Sequence, residues 1–307
     1  MSRQTSRFLA ALLTALLAAL CLTACGDGSG DRPRIVVTTN ILGNVVSELV
    51  GDQAEVTVLM KPNADPHSFG ISAQEANRMR NADLVVYNGL GLEEGIAQHV
   101  EAARRAGVPV FEAGAHADPI KYASGDAVGT LDPHFWTDPD RMKMVVSALR
   151  PVLAENVTDV DTAQLNGQID DYLGELTELT NDMTAQFSII PADRKRLVTN
   201  HHVFGYLAQR FGFEVIGAII PGGTTLASPS SSDLASLTGA IDRYDVPAVF
   251  VDTSHPDKLA AALAKETGRD VKIVPLYSES LDEPGTEAGT YLGMMTVNTQ
   301  RITDGLR

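Results

Sequence analysis

The chain has 307 residues, 44% of them hydrophobic and 21% charged, a globular composition long enough for about two domains. Its formal net charge of −15 opposes association with nucleic acid or with anionic lipid headgroups. Its two cysteines, Cys21 and Cys25, both precede the globular body, which excludes disulfide staples, a thiolate metal site and a cysteine nucleophile there.

Residues 1–24 read as an export signal, with Arg3 and Arg7, an apolar run from Phe8 to about Leu22, and then small residues. The run is short and poorly flanked for a spanning helix, the alternative being an uncleaved membrane anchor. Leu22-Thr23-Ala24-Cys25 resembles the bacterial lipoprotein cleavage box, which implies that Cys25 becomes the lipidated first residue of the mature chain. Residues 25–34 are then a lipidated leash, flexible over GDGSGDRPR. Loss of Arg3 and Arg7 takes the net charge to −17, so the body is expected to be tethered to the membrane and not adsorbed on it.

Beyond the leash, short β-branched runs alternate with helix-like segments. RIVVTTN, AEVTVLM, DLVVYNG and VPVFEAG occupy the first half; RLVTN, FEVIGAII, VPAVFVD and VKIVPLY occupy the second. Candidate helices include ILGNVVSELVG, SAQEANRMRNA and HPDKLAAALAKETG, and PSSSD reads as a further helix start. The alternation predicts an α/β protein of two lobes, each a mainly parallel sheet flanked by helices. The first lobe is expected over 35–155 and the second over 191–307.

Between them, over 156–190, the period changes. Leu165, Ile169, Tyr172, Leu176, Leu179, Met183 and Phe187 recur three or four residues apart and draw one apolar stripe. That stripe predicts a single linking helix from about Asp161 to Phe187, roughly 40 Å long at 1.5 Å per residue. Two shorter helices broken at Gly167 or Gly174 are the alternative.

Seven histidines are present: His67, His99, His116, His134, His201, His202 and His255. NADPHSFG around His67 and TLDPHFWTDP around His134 share an Asp-Pro step that biases the backbone away from helix and holds each imidazole on a stiff loop. VTNHHVFGYL adds a histidine pair at a strand end in the other lobe, and adjacent side chains there point in opposite directions. Imidazole is a common ligand for zinc and other borderline metals, so a site between lobes can gather donors from both.

At these motifs, and at LYSESLDEPGTEAGTYLGMM from Leu276, the chain resembles the metal-specific solute-binding lipoproteins of ABC importers, the zinc and manganese group, over nearly its whole mature length. The resemblance implies a metal in the cleft between two lobes, held by His67, His134, His201 and Glu279. It implies no enzyme, a permease with its ATPase as partner, no nucleic acid, a monomer, and a lipid anchor on the outer face of the cell membrane or a periplasmic location. His201 follows from counting back from Phe204; His202 is then expected at or just inside a helix start, as a surface or supporting residue.

Glu279 stands where the family more usually has aspartate, and Asp252 in VFVDTSHP is the reserve oxygen donor. His99 is expected on a solvated helix face and His255 at a helix start, while His116 is a candidate for auxiliary capture. Three imidazoles and one carboxylate suit Zn2+, carried as cargo, better than Mn2+, which prefers more oxygen; Mn2+ stays open as the alternative. A surface adhesin would share fold and metal. A zinc hydrolase is disfavoured, since no H-E-x-x-H is present and a fourth protein ligand leaves no metal-bound water.

Overall fold

Eight strands form where the β-branched runs stand. The computed structural model describes residues 32–123, 125–157 and 161–307, so the signal segment and Cys25 lie outside the described residues. β1 (Arg34–Val37), β2 (Glu55–Val58), β3 (Leu84–Tyr87) and β4 (Val110–Glu112) make one parallel sheet in the order β2-β1-β3-β4. β5 (Arg196–Thr199), β6 (Glu214–Ala218), β7 (Ala248–Asp252) and β8 (Lys272–Leu276) make a second with the equivalent order, β6-β5-β7-β8. In each sheet the strand order reverses beside the first strand, and ligand sites of open α/β sheets collect at the carboxyl ends of strands at such a point.

The period-2 alternation of side chains assigns the sheet faces. Ile35 and Val37 of β1, Leu84 and Val86 of β3, Leu197 of β5 and Phe250 of β7 all enter one central core. The residues between them turn outward. Val36 and Val85 pack with residues of α2 (Ala73–Arg80) and α3 (Ala97–Arg105), among them Met79 and Val100. Val198, Val249 and Val251 pack with residues of α7 (Ser231–Tyr244) and α8 (Lys258–Glu266), among them Ile241 and Leu263. Covering both faces is what makes strands read as continuous apolar runs.

The central core is completed by α1 (Asn40–Val50), α4 (Pro139–Asn156), α5 (Thr162–Ser188) and α9 (Tyr291–Leu306), with the short α6 (Gly205–Phe211) beside them. α5 is the strut between the lobes, unbroken for 27 residues, and its buried side chains are the seven of the apolar stripe. Asp161 caps it by accepting from the N–H groups of Ala163 and Gln164, satisfying donors that a helix start leaves free. Gly167 and Gly174 do not interrupt it; a Cβ at either would meet nothing within 4 Å. Ser230 and Asp233 form a capping box that starts α7. Among the described residues no helix is long and apolar enough to cross a membrane.

One placement differs from the sequence-based expectation. α6 begins at Gly205, so His202 lies in the loop before it and not at the helix start. α9, although C-terminal, packs against both α1 and α5, and the Tyr291 N–H donates to Asn44 Oδ1 at 2.8 Å. Its apolar stripe completes the common core, a fact that chain order alone does not carry.

Candidate metal centre

Four side chains from four separate loops meet between the sheets. His67 follows β2, His134 precedes α4, His201 stands two residues past β5, and Glu279 follows β8. All are buried, at 2%, 0%, 0% and 1% exposure respectively, which leaves any cation they hold without bulk water. Each offers one donor atom, and these atoms lie within 4.8 Å of one another.

The Asp-Pro-His loops are braced alike. Asp65 Oδ1 accepts the His67 N–H at 2.9 Å, and Asp132 Oδ1 accepts the His134 N–H at 2.9 Å. Asp132 Oδ1 also lies 2.8 Å from His134 Nδ1, which leaves Nε2 of that ring for the centre. Proline biases the backbone and aspartate then closes an Asx turn, so the motif supplies both halves of the brace. The first half was legible; the second lay in the aspartate two residues before each histidine.

The histidine pair divides its work. Thr199 Oγ1 donates to the His201 carbonyl at 2.6 Å, and the His201 ring turns inward. His202 is not on the surface: at 8% exposure it points the other way, its ring 6.5 Å from that of Tyr122. The opposed directions follow from the pleat of the strand just before them.

Glu279 owes its position to Asp252. Asp252 Oδ2 accepts the Ser278 N–H at 2.9 Å, the Ser278 hydroxyl at 2.6 Å and the Glu279 N–H at 3.1 Å. Its Oδ1 accepts from the N–H of Ser254 and from the Ser254 hydroxyl. Asp252 is therefore engaged by hydrogen bonds and is absent from the four-donor cluster, so the reserve oxygen donor is instead the holder of Glu279. From the first lobe, Trp136 Nε1 donates to the Ser278 carbonyl at 2.9 Å and Asn40 Nδ2 donates to Ser280 Oγ at 2.7 Å.

Inside the centre, His67 Nε2 and His134 Nε2 approach to 3.3 Å. Glu279 Oε1 lies 3.1 Å from His201 Nε2 and 3.6 Å from His134 Nε2, and Oε2 lies 3.6 Å from His67 Nε2. Four ligands about 2.05 Å from one tetrahedral ion stand about 3.3 Å apart, so the donors are spaced as the corners of such a shell. Both nitrogens of His201 and both carboxyl oxygens of Glu279 are buried without a hydrogen-bond partner. Unpartnered polar atoms of this kind are costly and call for a ligand.

Burial governs the charge state. It pushes the His67 imidazole down to about 2 and the His201 imidazole to about 4, holds His134 well below its ordinary value, and raises Glu279 well above the carboxylate range. Without a cation, burial thus favours neutral imidazoles and disfavours an ionised carboxyl at the centre. Neutral imidazole is the state that coordinates a metal.

The remaining histidines lie elsewhere. His99 is half-buried on α3, and His116 is exposed and stacks on Phe111 at 4.8 Å, outside the cluster. His255 stands before α8 but does more than start a helix: Nδ1 is 3.5 Å from Asp252 Oδ1, and Nε2 is 3.5 Å from Asp65 Oδ2 in the other lobe. Hydrogen bonding to Asp252 and then to Asp65 raises its imidazole to about 10.

Known proteins resemble the chain over most of its length. The chain is 30% identical to the zinc-binding protein TroA of Treponema pallidum over 285 residues, covering 91% of each chain. It is 27% identical to the manganese-binding lipoprotein MntA of Halalkalibacterium halodurans over 278 residues, covering 90% of this chain and 89% of that one. The solved structure of the periplasmic zinc-binding protein TroA from Treponema pallidum matches with a TM-score of 0.81 and 28% identity, over 90% of this chain and 99% of that one. The profile of the ZnuA family, zinc-uptake complex component A periplasmic, matches residues 35–305, and the chain belongs to that family.

Proposed function

We propose that the protein captures a divalent transition metal, zinc in preference to manganese, outside the cytoplasm and hands it to an ABC permease for import. The family consists of substrate-binding components and not enzymes, and its members named above bind zinc or manganese. The observation that carries the reading is a buried set of three imidazoles and one carboxyl in which both His201 nitrogens and both Glu279 oxygens have no hydrogen-bond partner. His67, His134, His201 and Glu279 are the proposed ligands. With four protein donors the shell closes, which suits reversible capture and leaves no metal-bound water to activate.

Nitrogen-rich four-donor sets favour zinc, and zinc outranks manganese at a given N/O site. Manganese is the second reading, favoured by one feature: both Glu279 oxygens are unpartnered, so the carboxylate can bind through both and add a fifth donor. Elemental analysis of protein purified without added metal, followed by competition with a chelator of known affinity, tests the choice. One equivalent of zinc, with zinc displacing manganese, is expected; protein that carries and prefers manganese reverses the order, and protein that binds neither overturns the function. Cys25 is the proposed lipid anchor, with a monomeric body on residues 35–155 and 191–307 bridged over 156–190.

A further inference from the structure

With the four ligands buried, an ion needs a way in. We propose that it enters and leaves through a cavity beside the centre in which Asp132 and His202 form a transient station, Tyr122 being the gate between station and centre. This rests on the metal-capture function and adds the route and the residues that serve it.

The cavity measures about 480 Å³, and Tyr122, Ala123, Asp132, His202, Phe204 and Gly205 are among its lining residues. Tyr122 and Asp132 of its lining both reach the outer edge of the His134 ring. Tyr122 Oη lies 3.2 Å from His134 Nδ1, and Asp132 Oδ1 lies 2.8 Å from the same nitrogen. The Tyr122 ring stands between two imidazoles, 6.3 Å from that of His134 and 6.5 Å from that of His202.

Asp132 spends Oδ1 on both hydrogen bonds from His134 and has Oδ2 left over. That oxygen belongs to a side chain only 2% exposed, and it faces the glycine at 205: a Cβ there would come within 2.7 Å of it. A buried carboxylate oxygen and a cavity-lining imidazole are the donor types a borderline divalent cation accepts. The Tyr122 hydroxyl donates to the Gly223 carbonyl at 3.2 Å, from the second lobe, so a swing of the ring gives up this bond and the contact with His134 Nδ1.

A second cavity, of about 220 Å³, flanks the centre behind Asp252. It presents a cation with the unpartnered Nδ2 donor of Asn200 and the Lys258 ammonium, while the Asp252 oxygens are already taken. Lys121 and Glu214 also line the first cavity, so a lysine does not separate the two; the carboxylate oxygen that Asp132 leaves uncommitted there favours the Asp132 side.

A group that touches the ion only in transit changes the association and dissociation rates by the same factor and leaves their ratio unchanged. Trp136 is the chain's single tryptophan and its ring lies 5.2 Å from that of His134, so zinc binding to the whole protein can be followed by its fluorescence in stopped flow. Ala123→Phe, at an exposed rim position, narrows the cavity mouth; His202→Phe keeps a ring of similar size and removes the nitrogens. Each is expected to slow zinc association and dissociation together, by about fivefold or more, with Kd held within about twofold. Unchanged rates in both variants overturn the route. A Kd raised through dissociation alone in His202→Phe makes His202 a resting ligand and also overturns it. Wild-type protein that takes up no zinc fails at an earlier step, the capture function itself.

Discussion

The Asp252 carboxylate accepts the Glu279 N–H at 3.1 Å and so sets how far the glutamate reaches toward the three imidazoles. One oxygen of Asp252 gathers three donors from Ser278 and Glu279, a load that an amide oxygen bears less well than a charged one. Asp252→Asn should therefore weaken zinc binding by about 10- to 100-fold, the usual cost of losing an outer partner, while the fold persists. Calorimetric Kd values with matched melting curves check this; an unaltered Kd would show that the loop holds Glu279 without Asp252.

His201 and His202 should separate at equilibrium. His201→Ala removes an inward donor and is expected to cost more than the 10- to 100-fold typical of an outer partner, whereas His202→Ala should shift Kd by less than about tenfold. Competition titration with a chelator reads both, and equal losses would contradict the assignment of the pair.

Proton release on binding should come from the glutamate. The sequence alone predicts that affinity falls below about pH 6 as imidazoles protonate, but burial holds His67 near 2 and His201 near 4, so they are neutral well below that pH. Glu279 is shifted the other way, so burial favours its protonated form, and a proton there competes with a cation. Affinity therefore rises with pH until the free centre's carboxyl ionises unaided. Calorimetry at pH 7 in buffers of different ionisation enthalpy should show proton release on zinc binding that falls in Glu279→Gln. Equal release by the two proteins would return the proton to the histidines.

His255 bridges the lobes through Asp252 and Asp65, and its raised folded-state value fixes the sign of its contribution. The stabilisation is fully present below the ordinary histidine value near 6.5 and is lost as pH rises through about 10. The side chain is 26% exposed, which moderates the size of the effect. Melting temperatures of wild type and His255→Gln should differ most near pH 6 and converge toward pH 10; a constant gap would mean that the charge is not involved.

Gly167 and Gly174 stand in the interior of α5 with open space where a Cβ would go. Alanine at either should stabilise the protein by about 0.5–1 kcal/mol, because glycine loses more backbone freedom on folding. Urea unfolding measures the gain, and no gain would imply a contact that glycine alone permits.

Periodicity carried much of the architecture. The seven-residue stripe from Leu165 to Phe187 reappears as the buried face of α5, and the eight β-branched runs each hold a strand, because alternation and helical spacing are local properties of the chain. The Asp-Pro-His repeats and the histidine pair likewise marked the residues that meet. Other features depend on partners well outside the local stretch of chain: Asp252 holds Glu279 instead of competing with it, His255 reaches Asp65, and His202 faces a cavity. Composition and spacing cannot convey these, since hydrogen bonds between loops, and the burial that favours neutral imidazoles and a neutral carboxyl, exist only after the two sheets have closed around one core.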